Sequence, residues 1–314
     1  AATDDGNTGI TVLNSYWWLK SERLGRISVG RQSQAADDNW VDLSGAGSIF
    51  AANLVIFDGA SFSLVPKGTN TRAAASWSSV AHCYTIGAGI FADCAGDRTE
   101  SVRWDSPTVA GFMLSTSWGE DDFYDVALRY SGEFNGLKIA AGAAWHRNDD
   151  NRSAATFGTD LWQINVALLH VPTGLFGSIH YGHENPDAVG VKDTDQLYIK
   201  AGLRKKLFPL GHTVFYGEYG RDNDMFGGVG DPCVAFAGTG GNIDTACGGG
   251  AVAITGSEFN RWGLGIVQEI DAASMAVWVK YKNYSAEVDF VGATAGTEKF
   301  EDFDVYALGG AVFF

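Results

Sequence analysis

Tyr124-Asp125-Val126-Ala127-Leu128-Arg129-Tyr130-Ser131 alternates at every position: Tyr, Val, Leu and Tyr fall on one face, and Asp, Ala, Arg and Ser on the other. A period of two is the pattern of a β-strand whose two faces meet different surroundings. Asn135-Gly136 follows, the dipeptide best suited to a two-residue hairpin turn because both positions accept positive φ. The next stretch repeats the alternation, with Leu137, Ile139, Ala141, Ala143 and Trp145 opposite Lys138, Ala140, Gly142, Ala144 and His146. The second of these faces is too small and too polar to pack a dry core. It is therefore expected to face water, and the first face something apolar.

Working outward in both directions, the same reading predicts thirteen strands, near 9–20, 25–33, 98–106, 111–119, 123–133, 137–147, 160–171, 174–184, 194–206, 211–221, 257–269, 273–284 and 302–314. Most approach the roughly 9–11 residues with which a tilted strand crosses a bilayer. Their connections alternate in length. Short turns at 21–24, 107–110, 134–136, 172–174, 208–210 and 271–272 are interleaved with connections at 34–97, 120–122, 148–159, 185–193, 222–256 and 285–301. All of the second set but 120–122 are longer than the turns. Short turns at one rim and long loops at the other mark a transmembrane β-barrel, whereas a soluble sandwich has no reason to sort loop lengths by parity. Aromatic residues Trp17, Tyr124, Tyr130, Trp145, Trp162, Tyr181, Tyr219, Trp262 and Tyr281 fall on the apolar faces, several near strand ends. Interfacial aromatic girdles sit at such places. The fold class read from these features is all-β, an antiparallel barrel forming one domain over residues 1–314.

Composition agrees with that reading. Among 314 residues there are 41 Gly and 6 Pro, and 22 Lys plus Arg against 37 Asp plus Glu give a formal net charge of −15. Without a basic excess there is nothing to release phosphate counterions, so a nucleic-acid partner is not expected. Mean hydropathy is −0.04, and no apolar run approaches the roughly 20 residues of a membrane helix. Alternating strands average out in this way. The start, Ala1-Ala2-Thr3-Asp4-Asp5, has no signal-peptide pattern, so an export signal is expected to have been removed or to lie upstream. Four cysteines form two local pairs, Cys83/Cys94 and Cys233/Cys247, in Gly-rich stretches without Cys-x-x-Cys spacing. Zinc and redox motifs are thereby disfavoured, and no cofactor is expected. Two loop-pinning disulfides in an oxidising compartment fit the pairs, and buried free thiols are the alternative.

Two stretches carry a resemblance. The segment from Val305 through Tyr306, Leu308 and Val312 to Phe314 looks like the C-terminal assembly signal of outer-membrane barrels. Ser101-Val102-Arg103-Trp104-Asp105-Ser106-Pro107, Ala110-Gly111-Phe112 and Ser117-Trp118-Gly119-Glu120-Asp121-Asp122 are similar to the alphaproteobacterial, rhizobial-type general porins. So are Asn14-Ser15-Tyr16-Trp17 and Ser28-Val29-Gly30-Arg31-Gln32-Ser33-Gln34. The resemblance implies a sixteen-stranded barrel of the bacterial outer membrane, usually a homotrimer amid lipid and lipopolysaccharide. Its third external loop folds into the lumen, and small hydrophilic solutes and ions diffuse through it passively. In such porins the infolded loop follows strand five and eleven strands remain. Here eleven predicted strands follow 34–97 and two precede it. The expectation is that the first three strands are missing, that residues 1–8 end the second external loop, and that Gly9–Lys20 would otherwise leave an edge in lipid.

A connection of the length of 34–97 is expected to be functional. It opens with carboxylates at Asp37, Asp38 and Asp42, then turns apolar through Phe50, Leu54 and Phe57 before Asp58. Folded inward, it would bury the apolar residues on the wall and point Asp37, Asp38, Asp42 and Asp58 at the lumen. By parity the wall presents Arg103, Arg129, Lys138, Lys200, Arg204, Arg261, Lys280 and Lys282, and the resemblance adds Arg31. Carboxylates on one side and cations on the other would set a transverse field across the narrowest section.

A substrate-specific channel is the nearest rival, and would reveal itself by a bound ligand or saturable block. A barrel enzyme is the more distant one. His146, His170, His180 and His183 are present, but no Gly-x-Ser-x-Gly elbow accompanies them, so no catalytic residues are assigned. The acidic groups Glu120-Asp121-Asp122, Asp149-Asp150 and Asp222 with Asp224 lack the ligand order of a calcium loop. They read as solvated loops, or as bridges through divalent cations to lipopolysaccharide.

Overall fold

The computed structural model describes residues 12, 14–37, 39, 41–46, 61–73, 75–80, 98–119, 122–149, 158–187, 192–225, 253–291 and 295–313. They form one antiparallel sheet in chain order: β1 (Ser15–Ser21), β2 (Gly25–Ser33), β3 (Arg98–Asp105), β4 (Phe112–Gly119), β5 (Phe123–Phe134), β6 (Leu137–Asn148), β7 (Thr159–His170), β8 (Leu175–Pro186), β9 (Thr194–Phe208), β10 (Gly211–Asn223), β11 (Ala253–Ile270), β12 (Met275–Val291), β13 (Ala295–Lys299) and β14 (Phe303–Val312). Every strand pairs with its sequence neighbour except β14, which continues beside β12 beyond β13. Counted as one interrupted strand, β13 and β14 bring the wall to the thirteen read from the sequence. Among the described residues the edge strands β1 and β14 do not pair with each other.

Residues 285–301 are the main departure. They were expected to form a loop, but β12 runs on to Val291, pairs with a β11 that begins at Ala253, and takes β13 on its other side. The cause is visible in Ala286, Val288 and Phe290, which are buried on one face while Ser285, Glu287 and Asp289 alternate with them. A bulge between Ile254 and Gly256 lets this long hairpin bend. Lys299 on β13 donates to Glu287 across the ladder, which raises its ammonium above the ordinary lysine range.

The turns follow the local chemistry. Asn135 and Gly136 both have positive φ, 49° and 76°, as a type I′ turn requires. Ser274, at φ 45°, closes the turn after Asp271–Ala273.

The two faces are unlike throughout. Tyr124, Val126 and Leu128 of β5, Trp162, Ile164 and Leu168 of β7, and Trp262, Leu264 and Ile266 of β11 are exposed on the outer face, while Asp125, Ala127, Gln163, Asn165, Arg261 and Val267 are buried on the inner one. The outer aromatics form rows. Tyr124–Trp145 and Trp145–Trp162 have ring centroids 5.4 and 5.7 Å apart, and Trp262–Tyr281 and Tyr281–Tyr306 5.1 and 4.9 Å. Near the short-turn rim Phe112 and Tyr130 lie 4.7 Å apart. On β14, Tyr306, Leu308 and Val312 point outward and are among the most exposed apolar residues, Leu308 at 84%. Phe314 lies outside the described residues.

Candidate functional site

The inner face is buried because chain lies on it. From Ser33, the last residue of β2, the backbone turns onto the wall. Arg103 Nη1 donates to Ser33 O and Gln34 O, each at 3.1 Å, and Arg129 Nη2 to Ala35 O at 2.5 Å and Asp37 O at 2.7 Å. Gln163 Nε2 donates to Ala36 O at 3.1 Å, and Asn165 Nδ2 to Val41 O at 3.4 Å. The segment then reaches β9, where Lys200 holds the Asp42 carboxylate and donates to Ala46 O at 3.0 Å. Ala46 is sealed in a cluster with Leu169, Phe176, Val214, Tyr216, Val267 and Ala276, drawn from five strands between β7 and β12, so the sheet wraps around it. A later stretch, 61–73 and 75–80, packs farther along β11 and β12. Leu64, Ala73, Ala75, Trp77 and Val80 join Phe259, Tyr284, Val288, Phe290 and Phe300 in a second core, and Lys67 N and Glu301 N exchange bonds with Lys299 O and Val65 O at 2.8 and 2.7 Å.

Of the expected acidic residues, Asp42 meets Lys200 directly, and Asp37 is buried at the root. Asp38, Asp58, Phe50, Leu54, Phe57 and all four cysteines lie outside the described residues. Of the expected cations, Arg103, Arg129, Lys200, Arg204, Arg261, Lys280 and Lys282 share the inner face. Lys138 keeps that parity but is exposed beside the short turn. Lys280 lies 5.7 Å from the Trp278 ring centroid. Arg31 is a correction. Ser28 pairs with Arg103 and Arg31 with Glu100, so Arg31 falls on the outer face with Val29. There it binds Glu100 at 3.2 Å and Val12 O at 3.0 Å. Strand parity overrides the position that the resemblance suggested for it.

The electrostatic arrangement also differs from two opposed walls. Arg103, Lys200, Arg204, Arg261 and Lys282 each have a carboxylate at hand. Asp105 takes Arg26 at 2.8 Å and Arg103 at 2.9 Å. Glu269 takes both Arg204 nitrogens, at 2.8 to 3.0 Å, Asp222 takes Arg261 at 2.5 and 3.1 Å, and Glu218 takes Lys282 at 3.1 Å and the Tyr198 hydroxyl at 2.5 Å. Burying a charge is tolerable only with such partners. Glycines make the room: an added Cβ at Gly220 would lie 2.3 Å from Arg261 Nε, and at Gly263 2.8 Å from Glu218 Oε1. Sequence reading gave no pairing role to Ser117, Asp125, Gln163, Asn165, Glu218 and Glu269, and it took Asp222 for a solvated loop acid, whereas Asp222 is buried in β10 against Arg261. The available signal was that all share the parity of the named cations.

Residues 1–251 match a family described as Gram-negative porin. Among solved structures the chain resembles in-vitro folded OmpT, an outer membrane protein of Vibrio cholerae, in its trimer form. Identity is 14% and the TM-score 0.50, over 97% of this chain and 83% of that one. Outer-membrane expressed OmpT of Vibrio cholerae (12% identity, TM-score 0.49, 95% and 81% covered) and an anion-selective porin from Comamonas acidovorans (13%, 0.48, 98% and 81%) score lower and bear no weight. No curated protein matches the chain. Identities this low speak to fold alone. The family match carries the assignment: over residues 1–251 of 314 it spans most of a wall that is apolar outside and charged inside, and the chain belongs to the Gram-negative porin family, diffusion channels of the bacterial outer membrane.

Proposed function

We propose that small hydrophilic solutes and ions cross by unassisted diffusion along the charged inner face, and that residues 34–97 narrow the path by folding inward. The observation that carries this reading is the seating of Gln34–Asp37 and 41–46 along β3 to β12 and of Leu64, Trp77 and their neighbours on β11 to β14. The neighbouring ion pairs make the wall a mosaic of both signs. A hydrated or dipolar solute exchanges water for such groups at little loss, while an apolar one gains nothing there. The reading includes no catalytic step.

The motifs around Ser101–Pro107 and Ser28–Gln34 support placement near the alphaproteobacterial general porins. The chain is assigned as a homotrimer in lipopolysaccharide-containing membrane, with Cys83–Cys94 and Cys233–Cys247 as loop disulfides. Crosslinking in detergent and mass spectrometry of unreduced peptides check the two assignments.

The deciding experiment is single-channel recording in planar bilayers. Stepwise, non-saturating conductance with weak selectivity is expected, and a saturable block by one solute class would point instead to a substrate-specific channel. Lys200→Met leaves Asp42 uncompensated, so the reversal potential in a salt gradient is expected to move toward cations. An unchanged reversal potential would remove the Lys200–Asp42 pair from the ion path.

A further inference from the structure

Five consecutive backbone carbonyls, Ser33 to Asp37, each accept a hydrogen bond from a wall side chain. Chain that leaves a sheet but stays buried must find partners for its backbone, and here wall side chains supply most of them, beside one turn bond from Asp37 N–H to Gln34 O at 3.2 Å. The amides are gripped as well. Ala35 N–H donates to Ser117 Oγ at 2.9 Å and Ala36 N–H to Asp125 Oδ2 at 2.7 Å. The other carboxylate oxygen of Asp125 accepts from Ser117 N at 2.9 Å and from the Ser117 hydroxyl. Ser117 therefore passes the load from Ala35 to Asp125.

Ala35 and Ala36 are 0% exposed, so this seat has no room for larger side chains. Apart from the Gln34 side chain, which donates to Thr99 Oγ1 at 3.4 Å, the hydrogen bonds described are to backbone atoms of the segment. What the wall recognises is the path of the chain.

We infer that Ser117, Asp125 and Arg129 are positioning residues that set the aperture of the channel by fixing where the segment after β2 leaves the wall. The claim rests on the diffusion reading and goes beyond it. Arg129 was expected to act on ions through its charge. Its guanidinium donates to Ala35 O and Asp37 O, and to Ser115 Oγ at 3.4 Å, so it acts on permeation through the chain it holds. Asp125 and Ser117, 2% and 0% exposed, do the same.

The test uses variants that keep the net charge. Ser117→Ala and Arg129→Lys each loosen the grip without altering the charge count. In planar bilayers each is expected to change single-channel conductance by on the order of 1.5-fold and to increase current flicker. Reversal potential and the heat-induced gel shift of the folded barrel should stay as in the unmodified protein. Arg129→Gln should show the same conductance change. If Ser117→Ala and Arg129→Lys conduct as the unmodified protein does, while Arg129→Gln alone shifts the reversal potential, the residues act by charge and the inference is overturned. Failure of both charge-preserving variants to fold would overturn it too, since the grip would then be a requirement of the fold. Absence of stepwise conductance in the unmodified protein would instead sink the diffusion reading.

Discussion

An added methyl group at Gly142 would lie 2.3 Å from Asn39 Oδ1, 2.8 Å from its Cγ and 3.0 Å from its backbone carbonyl. Asn39 is buried and its segment is tied down on both sides, so it cannot simply swing away. Gly142→Ala is expected to lift the segment from the wall, changing single-channel conductance and costing about 1–3 kcal/mol as overpacking does. The midpoint of the heat-induced gel shift reads the second effect. Sequence spacing had put Gly142 on the inner face but offered no reason for glycine there. The reason is a chain segment more than a hundred positions away. Arg31 makes the same point in reverse. Its motif resembled a pore arginine, yet one step of parity separates it from Ser28 and Gln32, and the register with β3 sends it outward.

At the scale of elements, the segment after β2 is attached in two chemically different ways. Its first half is held mainly by hydrogen bonds and one ion pair, its second half mainly by packing. Trp77 stacks on Phe303 at 5.7 Å and lies 6.1 and 6.3 Å from Phe259 and Tyr284. Trp77→Ala empties a site that is 3% exposed and should cost about 3–5 kcal/mol of local packing. Lower thermal stability by near-ultraviolet circular dichroism is the expected outcome, and an unchanged transition would mean that this contact does not hold. The alternation of turns and loops was readable in advance because loop length is a property of the chain itself. The extension at 285–291 was not recognised as strand, since Glu287 and Asp289 looked like loop polarity when they are the outer half of a period of two. Its inner half, Val288 and Phe290, is explained only by the core that 61–80 brings to it.

Over the whole molecule the two faces carry opposite costs for charge. Ile164 stands outward near the middle of β7, 54% exposed. Ile164→Arg should destabilise the membrane-inserted state by about 2–4 kcal/mol, as cations on a lipid face do. Ser131→Arg, at an exposed place of inward parity beside the short-turn rim, should stay within about 0.5 kcal/mol. Urea unfolding from lipid vesicles, followed by Trp fluorescence, compares them, and equal penalties would contradict a lipid-facing outer wall.

What the sequence determined by itself was most of the wall: its strands apart from the extension at 285–291 and β13, their order, the parity of their side chains, and the ranking of turns against loops. These follow from a period of two and from local turn chemistry, and neither depends on distant residues. The tertiary structure alone decided how each inward charge is neutralised and where the long segment is seated. Arg261 finds Asp222 and Lys282 finds Glu218 across strand registers, and Arg129 finds the backbone of Ala35 and Asp37. Such meetings depend on how strands stagger and on what folds over them, and a pattern read along one strand holds neither.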